Sequence, residues 1–547
     1  MNNALFSYPY PANEPVGSYA PDSRDREELQ DELKRLAAEE IEIPLIIGGR
    51  EVCTGDVGEV VMPHDHGHVL ATYHRAGEKD VRAAIEAAVE AKKEWERFPW
   101  EERAAIAVRI AELLSKKYRY RINAATMLGQ SKNVHQAEID AACENIDFLR
   151  FNAHYAGRVY GDQPASERGV INRVEYRPLE GFVLAVTPFN FTAIASNLNM
   201  APVLMGNVCV WKPATTAIYS NYFLMKIFQE AGLPDGVINF LPGSGRLIGD
   251  VAFADPRFAG LHFTGSNATF DELWQATARN LPAYRSYPRM VGETGGKNFV
   301  LAHPSADVLT LAVALVRGSF EYQGQKCSAS SRAYIPANLW PALRESLCNL
   351  LANIRTGDVR DFNNFHNAVI DRASFDNIMH YITAAKQAST AEIIFGGRGS
   401  CETGYFIEPT VVRVTDPHFI TMEEEIFGPV LSIYVYPENR WDEMLPLIDS
   451  TSPYGLTGSI FATDRYALHD AAEKLRYAAG NIYFNDKSTG AVVGQQPFGG
   501  SRRSGTNDKA GSYLNLLRWV SPRTIKETCV PPTDFRYPFM LDFDVTM

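Results

Sequence analysis

A chain of 547 residues is too long for one ordinary hydrophobic core, and its length predicts two to four domains. With 46% apolar residues, 22% charged residues and a formal net charge of −12, it has the composition of a soluble globular protein, and its acidity argues against binding to nucleic acid or to an anionic membrane surface. The seven cysteines are odd in number and form no CxxC pair, so neither a disulfide framework nor a zinc or redox motif is predicted.

The first fifteen or so residues are rich in Tyr, Pro and Asn and are predicted to form an extended arm. They lack the basic start, apolar run and small-residue cleavage site of a secretory signal, and they hold no Arg-rich amphipathic stretch typical of a transit peptide. The protein is therefore expected to stay in the compartment where it is made. A bacterial cytoplasm fits this expectation, and a mitochondrial matrix fits it if a presequence has been removed.

Two amphipathic helices are predicted next, because apolar residues recur at helical spacing from Val81 to Val89 and from Ile106 to Leu114. The segment from Gly181 to Trp211 carries no charged residue and is long enough to cross a bilayer. Its prolines and asparagines would leave polar groups unsatisfied in lipid. A buried strand, helix and strand is therefore predicted there instead.

Apolar strands alternate with helices from Gly181 onward, in two series. The first contains the strands GFVLAVT, NVCVWK, GVINFLP and AGLHFTG, with the helix IYSNYFLMKIFQEAG capped by Gly232. The second contains the strands KNFVLA, SRAYIP, LSIYVYP, TGSIFAT and GNIYFND, with the helix ADVLTLAVALVRGSF. Continuous apolar strands separated by helices are typical of parallel sheets covered on both faces. The predicted fold class is therefore α/β, with two doubly wound parallel-sheet domains.

The stretch TPFNFT places Asn190 just past the first of these strands, at the sheet edge where ligands collect in open α/β folds. A side-chain amide is a fixed dipole that can donate to an oxygen on which negative charge is growing, as an oxyanion hole requires. The alternative is an ordinary turn asparagine.

Two further strand ends carry candidate phosphate and ribose contacts. In WKPATTA, Lys212 could bond to ribose hydroxyls or to a phosphate, although a solvated lysine is the commoner case. In FTGSNATF, Gly265 and Ser266 open a helix whose backbone N–H groups can hold a pyrophosphate. The G-x-G-x-x-G fingerprint of ordinary dinucleotide folds is missing, so this second signal is weak.

Glu293 lies in GETGGKN beside glycines, which let other backbone and a substrate come close and give the carboxylate room to move. Partial burial would tune such a group as a general base. A loop glutamate without a chemical role is the alternative.

Cys327 lies in FEYQGQKCSASSR, just past the first helix of the second series, among small polar neighbours that predict a thiol open to solvent. Near a helix end and polar donors, a cysteine can be partly thiolate at neutral pH, and the thiolate is the attacking form. The alternative is a buried cysteine that acts as a small hydrophobe. Together, a nucleophilic thiol, an amide donor, a carboxylate base and a phosphate-binding turn are the parts needed to oxidise an aldehyde through a thioester.

Four stretches, EYQGQKCSASSR, GETGGKN, EEIFGPVLSIYVYP and NDKSTGAVVGQQPFGGSRRSGTND, closely resemble the aldehyde dehydrogenase superfamily. Within it, the sequence is similar to the branch that oxidises L-glutamate γ-semialdehyde, from about Asn13 to the C-terminal region. The resemblance implies NAD-dependent oxidation of that semialdehyde, which forms from 1-pyrroline-5-carboxylate, to L-glutamate through a cysteinyl thioester. This reaction is the second step of proline catabolism.

The resemblance also implies roles for individual residues. Cys327 would be the nucleophile, Asn190 and the Cys327 N–H would form the oxyanion hole, and Glu293 would activate the water that hydrolyses the thioester. The implied NAD contacts are Lys212 and Glu425 at ribose hydroxyls and Ser266 at the pyrophosphate, together with Pro188, Gly265 and Phe427. The implied substrate contacts are Ser328, Gly490 and Ala491 at the carboxylate, and Phe191 and Phe498 along the aliphatic part. No metal is implied.

One position departs from the family pattern. Other aldehyde dehydrogenases often carry a glutamate that contacts the adenosine ribose where this chain has Thr215. The strictness of the choice of NAD over NADP is therefore left open.

The resemblance implies five segments: the N-terminal arm and helical part of the NAD-binding domain at 1–169, the first part of an oligomerisation arm at 170–180, the NAD-binding core at 181–295, the catalytic domain at 296–486, and at 487–547 a substrate-anchoring loop, an oligomerisation strand and a C-terminal arm. VINRVEYRPL and LLRWVSPRTIKE look like strands without a place in either core. Relatives use such strands to reach a partner subunit, and exposed strand edges need covering, so at least a homodimer is expected. An edge hairpin capped by the N-terminal arm is the alternative.

Two other functions remain open. The serine after the cysteine and the loop at Gly490 and Ala491 argue against another semialdehyde dehydrogenase, such as one acting on succinate semialdehyde. The intact reactive positions argue against a non-catalytic NAD-binding structural relative. A bifunctional proline-oxidising form is not expected, because no region remains for its extra barrel domain. The expected partner is a small-molecule substrate, with no nucleic acid and no membrane.

Overall fold

The first of two seven-stranded sheets contains the strands predicted for the first series. The computed structural model describes residues 6–541. The sheet has the order Arg289–Glu293, Phe258–Thr264, Phe182–Val186, Cys209–Lys212, Ile238–Phe240, Leu45–Ile47 and Arg50–Val52. Its first five strands are parallel and its last two are antiparallel. The chain order reverses between Phe182–Val186 and Phe258–Thr264, so a ligand crevice is expected at the carboxyl ends of these two strands.

The second sheet contains the strands predicted for the second series. Its order is Ala391–Phe395, Thr410–Val414, Val430–Tyr436, Ser330–Pro336, Asn298–Ala302, Thr457–Phe461 and Asn481–Phe484, and all neighbours are parallel except the first pair. Every residue of Asn298–Ala302 and Thr457–Phe461 is buried, as expected for strands covered on both faces. The predicted α/β fold with two mostly parallel sheets is confirmed.

Seventeen α-helices lie within the described residues, and several of them cover the two sheets. They are Arg24–Ala37, Glu78–Trp95, Trp100–Glu112, Arg119–Gln130, Val134–Ala137, Asn145–Gly161, Thr192–Leu204, Ile218–Glu230, Gly245–Ala254, Asn267–Asn280, Val308–Phe320, Trp340–Ala352, Arg372–Gln387, Ile420–Glu423, Trp441–Thr451, Arg465–Lys474 and Tyr513–Leu517. Two π-helical turns adjoin α-helices: Leu113–Lys117 follows Trp100–Glu112, and Glu138–Glu144 lies between Val134–Ala137 and Asn145–Gly161. Gly232 has φ 88°, which agrees with the predicted C-cap after Ile218–Glu230.

The N-terminal part of the chain differs from the expectation of an arm followed by helices. Residues 6–20 have no regular secondary structure, as predicted, but five strands of three to ten residues follow between Ile41 and His74. Two of these strands extend the first sheet, and the others form the three-stranded sheet Ile41–Ile43, Asp65–His74 and Val57–Met62. Three of the five strands have only three residues, which is too short for an alternating pattern to be recognised in the sequence, and the longer strands Val57–Met62 and Asp65–His74 were also missed.

The uncharged segment folds as predicted, as the strand Phe182–Val186, the helix Thr192–Leu204 and the strand Cys209–Lys212. Among residues 6–541, no helix combines the length and the apolar character needed to cross a bilayer. All seven cysteines lie in this part of the chain and none forms a disulfide.

Two long strands, Val170–Pro178 and Val520–Thr528, pair antiparallel with each other over nine residue pairs. This two-stranded ribbon is joined to neither seven-stranded sheet, as the sequence indicated. Most of its side chains are exposed or half-buried, so both outer edges of the ribbon remain open for pairing. Two-residue strands complete the fold, Gly399–Ser400 with Phe406–Ile407 and Tyr454–Gly455 with Ser501–Arg502.

Candidate active site

A cavity of about 350 Å³, here called the Ser266 cavity, opens where the crevice was expected. It lies at the carboxyl ends of Phe182–Val186 and Phe258–Thr264, whose residues Val186 and Phe263 are neighbours in the sheet. Seven of the predicted site residues line it, namely Pro188, Asn190, Gly265, Ser266, Cys327, Glu425 and Phe427. Residues from both sheets therefore meet in this cavity.

A second cavity of about 70 Å³, here called the Ser328 cavity, shares Cys327 with the first. Its lining includes all five residues expected at the substrate, Phe191, Ser328, Gly490, Ala491 and Phe498. Cys327 thus lies at the junction of two cavities, each lined by one of the two predicted sets of contacts.

The backbone of Cys327 is fixed from the strand Asn298–Ala302. The side-chain amide of Asn298 donates to the carbonyl oxygens of Cys327, at 2.7 Å, and of Ala329, at 2.8 Å. A Cβ atom at Gly296 would lie 2.5 Å from the same Cys327 oxygen, so only glycine permits this approach. Gly296 in GETGGKN therefore allows the close backbone approach that the sequence indicated.

The thiol of Cys327 is not in the environment that the sequence predicted. The residue is only 8% exposed, so the prediction of a thiol open to solvent is wrong, and the side chain contacts the cavities instead. Burial raises the pKa of the Cys327 thiol well above its usual range, and Glu293, Glu425 and Glu144 raise it further. Burial, together with the neighbouring carboxyl groups, therefore disfavours the partly ionised thiol that the sequence suggested.

Asn190 occupies the loop between the strand Phe182–Val186 and the helix Thr192–Leu204, and it is buried. Its amide nitrogen donates to the carbonyl oxygen of Gln325 at 3.0 Å. This bond ties the loop to the segment that precedes Cys327. An amide nitrogen carries two hydrogens, so a second donor remains for an oxygen in the Ser266 cavity.

Glu293 ends the strand Arg289–Glu293 and pairs with Thr264, directly before Gly265. Burial raises the pKa of Glu293 to about 8; the nearby Lys509 lowers it and Asp508 raises it. The oxygen Oε1 of Glu293 has no hydrogen-bond partner among the described residues.

Glu293 lines neither of the cavities that Cys327 lines. It lies in a third cavity of about 50 Å³, whose lining shares Glu144 and Phe498 with the Ser328 cavity. The structure therefore brings Glu293 close enough to raise the pKa of Cys327, but not into the same space.

Glu425 is seated by the two glycines of GETGGKN. Its oxygen Oε1 accepts from the backbone N–H of Gly296 at 2.8 Å, and a Cβ atom at Gly295 would lie 2.1 Å from Oε2. Burial raises the pKa of Glu425 to about 7. Phe427 follows with φ 56° and packs edge-on against Phe189, with 5.8 Å between ring centroids.

Ser266 precedes a helix and Lys212 ends a strand, both at the carboxyl edge of the first sheet. Ser266 caps the helix Asn267–Asn280, and its hydroxyl accepts from the backbone N–H of Thr269 at 3.2 Å. Lys212 is not among the residues that line the Ser266 cavity. It lies beside the helix Gly245–Ala254, where a Cβ atom at Gly245 would be 3.6 Å from its Cε, and burial lowers the pKa of its ammonium.

The Ser328 cavity is closed by the loop that contains Gly490. Ser328 and Thr489 share a hydrogen bond of 2.7 Å between their hydroxyls, and the hydroxyl of Ser488 donates to the Ser328 carbonyl at 2.9 Å. Gly490 has φ 98°, and a Cβ atom there would lie 3.0 Å from the Lys487 Nζ. The positive φ therefore favours glycine at 490, whereas the flexible Lys487 side chain could move away from a Cβ atom.

Two residues of this site were missed by the sequence reasoning. Thr489 lies one residue before the predicted Gly490 and could have been found by extending that motif. Glu144 ends the π-helical turn Glu138–Glu144 and lines the Ser328 cavity, and burial with the Asp140 charge raises its pKa well above the usual range. No sequence signal marks Glu144, because a carboxylate in a helical stretch usually faces solvent.

Within residues 6–541, one group of side chains has the spacing of a metal site, Glu42, Cys53 and His74. The His74 Nε2 lies 2.7 Å from Glu42 Oε1, and its Nδ1 accepts from the backbone N–H groups of Thr54 and Gly55. The proton therefore sits on Nε2, which leaves this nitrogen no lone pair for a metal. None of the three residues lines the cavities described above.

Comparison with known proteins agrees with this geometry. Residues 53–525 match the Aldehyde dehydrogenase family. The chain is 54% identical over 542 residues to the Delta-1-pyrroline-5-carboxylate dehydrogenase, mitochondrial, of Dictyostelium discoideum, which covers 98% of this chain and 97% of that protein.

Two solved structures are similar along nearly the whole chain. The crystal structure of the Delta-pyrroline-5-carboxylate dehydrogenase from Mycobacterium tuberculosis bound with NAD has a TM-score of 0.96 at 51% identity, with coverage of 99% of this chain and 100% of that chain. The 1-Pyrroline-5-Carboxylate Dehydrogenase from Thermus with bound NAD has a TM-score of 0.89 at 32% identity, with coverage of 96% and 100%. By its sequence match, its fold and its site, this chain belongs to the aldehyde dehydrogenase family.

Proposed function

We propose that this chain oxidises L-glutamate γ-semialdehyde to L-glutamate with NAD as the hydride acceptor. One observation carries the proposal: Cys327 lines the Ser266 cavity and the Ser328 cavity at once. A sulfur at that junction can bond to an aldehyde carbon held on one side while a hydride acceptor lies on the other. The names of the Dictyostelium and Mycobacterium relatives point to the same reaction.

The Ser266 cavity fits NAD. The N-terminus of the helix Asn267–Asn280 offers backbone N–H groups to a pyrophosphate, and the Glu425 carboxylate can accept from ribose hydroxyls. Pro188 and Phe427 supply apolar walls, and Lys212 lies just outside the lining. NAD supplies a ring carbon that accepts hydride.

In the first half of the reaction, the Cys327 sulfur forms a bond to the aldehyde carbon and the carbonyl electron pair moves to the oxygen. Because burial keeps the thiol protonated, a base must take its proton, and Glu293 with a pKa raised to about 8 is suited to this task. The Asn190 amide and the Cys327 N–H donate to the developing alkoxide. The carbon then gives hydride to NAD, and the carbonyl reforms as a thioester.

In the second half, Glu293 first passes the proton taken from the thiol to solvent and then removes a proton from water, while the water oxygen attacks the thioester carbon. The carbon–sulfur bond breaks, which releases glutamate and returns the Cys327 sulfur. For both steps the Glu293 side chain must move from the third cavity towards Cys327.

Substrate choice is assigned to the Ser328 cavity. The hydroxyl of Ser328 and the loop at Gly490 and Ala491 face the position for the α-carboxylate, and Phe191 and Phe498 line the aliphatic part. Glu144 supplies a carboxylate for the α-ammonium of the substrate. A cation at that position would favour the ionised form of Glu144, because its charge offsets the cost of desolvating the carboxylate.

The proposal also covers the oligomeric state, the domain roles and the compartment of the protein. The ribbon of Val170–Pro178 and Val520–Thr528 serves a homodimer or larger homo-oligomer, supported by its exposed edges and by Ile171, which is 47% exposed. We propose for the segments 1–169, 170–180, 181–295, 296–486 and 487–547 the roles given in the sequence analysis, with five strands added to the helices of the first segment. The Dictyostelium relative is named mitochondrial, and the compartment proposed for this chain is a bacterial cytoplasm or a mitochondrial matrix.

The decisive experiment measures NADH formation with four aldehydes: L-glutamate γ-semialdehyde, glutarate semialdehyde, succinate semialdehyde and propanal. The first should have the highest kcat/KM, and glutarate semialdehyde, which lacks only the amino group, should be several-fold poorer because Glu144 then has no partner. Glu144→Gln should reduce that difference while leaving propanal oxidation nearly unchanged.

Either of two results would contradict the proposed function and identify a different one. Preference for succinate semialdehyde would identify a different semialdehyde dehydrogenase. Binding of NAD without NADH formation from any aldehyde would identify a non-catalytic relative.

A further inference from the structure

Lys132 is a buried cation at the centre of the fold that the proposed reaction does not use. It is 1% exposed, and its Nζ lies 2.6 Å from the Asp140 Oδ2, whose side chain is fully buried. Replacing such a pair by apolar side chains is often neutral for stability, so a buried pair is weak evidence of a stabilising role. The contacts of the pair indicate a different role.

Two aromatic rings contact the Lys132 ammonium. Its Nζ lies 4.2 Å from the ring centroid of Phe191 and 4.5 Å from that of Tyr322. Both distances fall within the range of cation–π attraction, which strengthens when the cation is removed from water. One ammonium group therefore contacts a wall of the Ser328 cavity and a residue five positions before Cys327.

Asp140 connects the pair to Asn190. Its two carboxylate oxygens accept from the backbone N–H groups of Thr192, at 3.0 Å, and Ala193, at 2.9 Å. These groups begin the helix Thr192–Leu204, directly after Asn190 and Phe191, and a carboxylate is favoured at a helix N-terminus. Asp140 thus fixes the point at which the Asn190 loop enters its helix.

Tyr322 connects the pair to Cys327. Tyr322 and Gln323 have φ values of 49° and 56°, a left-handed conformation that non-glycine residues hold only when their surroundings enforce it. The Tyr322 hydroxyl donates to the Gln130 carbonyl at 3.0 Å. The turn then leads to Gln325, whose carbonyl accepts from the Asn190 amide.

We propose that Lys132 is a positioning residue that sets the separation between the Asn190 amide and the Cys327 sulfur, by holding Phe191 and Tyr322 against one ammonium group. The inference rests on the proposed function. Lys132 contacts Asp140 and Phe191 on the side of the Asn190 loop, and it contacts Tyr322 on the side of Cys327. The two sides meet at the hydrogen bond between Asn190 and Gln325. Loss of the charge would relax both connections and misplace the oxyanion donor.

The test uses the double variant Lys132→Met with Asp140→Asn, which removes the charge without leaving a buried carboxylate unpaired. Since removing an oxyanion donor outright costs about 100-fold or more in kcat, partial misplacement should lower kcat at least about tenfold. KM for L-glutamate γ-semialdehyde and the dissociation constant of NAD should each change less than about threefold, because the contacts that bind the substrate and NAD before the reaction are retained. Lys92→Met, which removes another buried lysine, is the control and should leave kcat unchanged.

A readout that does not depend on turnover accompanies the kinetics. Hydrogen–deuterium exchange of the peptide from Tyr322 to Cys327 should be several-fold faster in the double variant, with exchange in the second sheet unchanged. If the double variant fails to fold, Tyr322→Leu replaces it and should give the same kinetic pattern.

A folded variant with wild-type kcat and wild-type exchange would overturn the inference, as would parallel losses of NAD binding and kcat, which a merely structural role would give. Failure of the proposed function would be visible separately, because the wild-type protein would then form no NADH from the semialdehyde.

Discussion

The hydroxyl of Ser328 lies 2.7 Å from the hydroxyl of Thr489. This contact joins the residue that follows the nucleophile to the loop that precedes Gly490, although the two lie on separate parts of the chain. The hydroxyl of Ser488 reinforces it by donating to the Ser328 carbonyl. These loop contacts fix the Ser328 side chain beside Cys327, at the place where we propose that the substrate carboxylate binds.

Ser328→Ala should raise KM for L-glutamate γ-semialdehyde by about tenfold or more, since a hydrogen bond to a charged group is worth about 1.5–3 kcal/mol. The effect on propanal should be small, because propanal has no carboxylate. Thr489→Val should produce a weaker effect of the same kind, because Ser328 loses its partner but keeps its hydroxyl. Equal changes in KM for both aldehydes would remove Ser328 from the carboxylate site. Steady-state kinetics with both substrates measures the difference.

Cys327→Ala should abolish NADH formation, because no other described side chain lines both cavities. The dissociation constant of NAD should remain within about twofold, since the sulfur belongs to the reaction rather than to the cofactor contacts. Cys348→Ala is the matched control and should keep full activity. Mass spectrometry of the wild-type protein during turnover should detect an acyl adduct on the peptide that contains Cys327. Appreciable turnover by the variant would exclude the nucleophile role.

Release of glutamate from the thioester should become faster as pH rises, with a midpoint near the Glu293 pKa of about 8. The sign follows from the chemistry: only the carboxylate can take a proton from water, and burial keeps Glu293 protonated at lower pH. Below the midpoint the rate should fall about tenfold per pH unit. The measurement is the decay of the acyl adduct after a single turnover.

Glu293→Gln should slow that decay strongly and remove its pH dependence, and it should also slow formation of the adduct, because the same carboxylate takes the Cys327 proton. Glu402→Gln, which changes an exposed carboxylate, should behave as wild type. A midpoint that persists in Glu293→Gln would assign the titration to another group.

Ile171→Glu should weaken the oligomer, because it places a charge on an exposed apolar position of the ribbon. Sedimentation velocity should show at least a dimer for the wild-type protein and a smaller species for the variant at equal concentration. Asn172→Ala, one residue away, should leave the distribution unchanged. A wild-type monomer would mean that the ribbon is an ordinary edge hairpin.

The local sequence was enough to predict individual strands and motifs. The strands of both series alternate with helices, and long apolar runs such as Phe258–Thr264 are informative because a strand buried on both faces must be apolar throughout. The glycines around Glu293 were also interpretable, since a residue without a side chain implies close approach, here by Glu425 and Cys327. The three-residue strands before His74 were missed because their patterns are too short.

Only the tertiary structure decided how the site is assembled and how its groups ionise. The sequence placed a thiol among small polar residues, but burial depends on what packs over a segment, and the folded chain surrounds Cys327 with carboxyl groups that raise its pKa. Glu144 and Lys132 likewise have no local signature, because their roles come from residues distant along the chain. The sequence by itself determined the strand and helix pattern and the identities of the reactive groups, whereas distances, burial and charge environment exist only after the two sheets have been brought together.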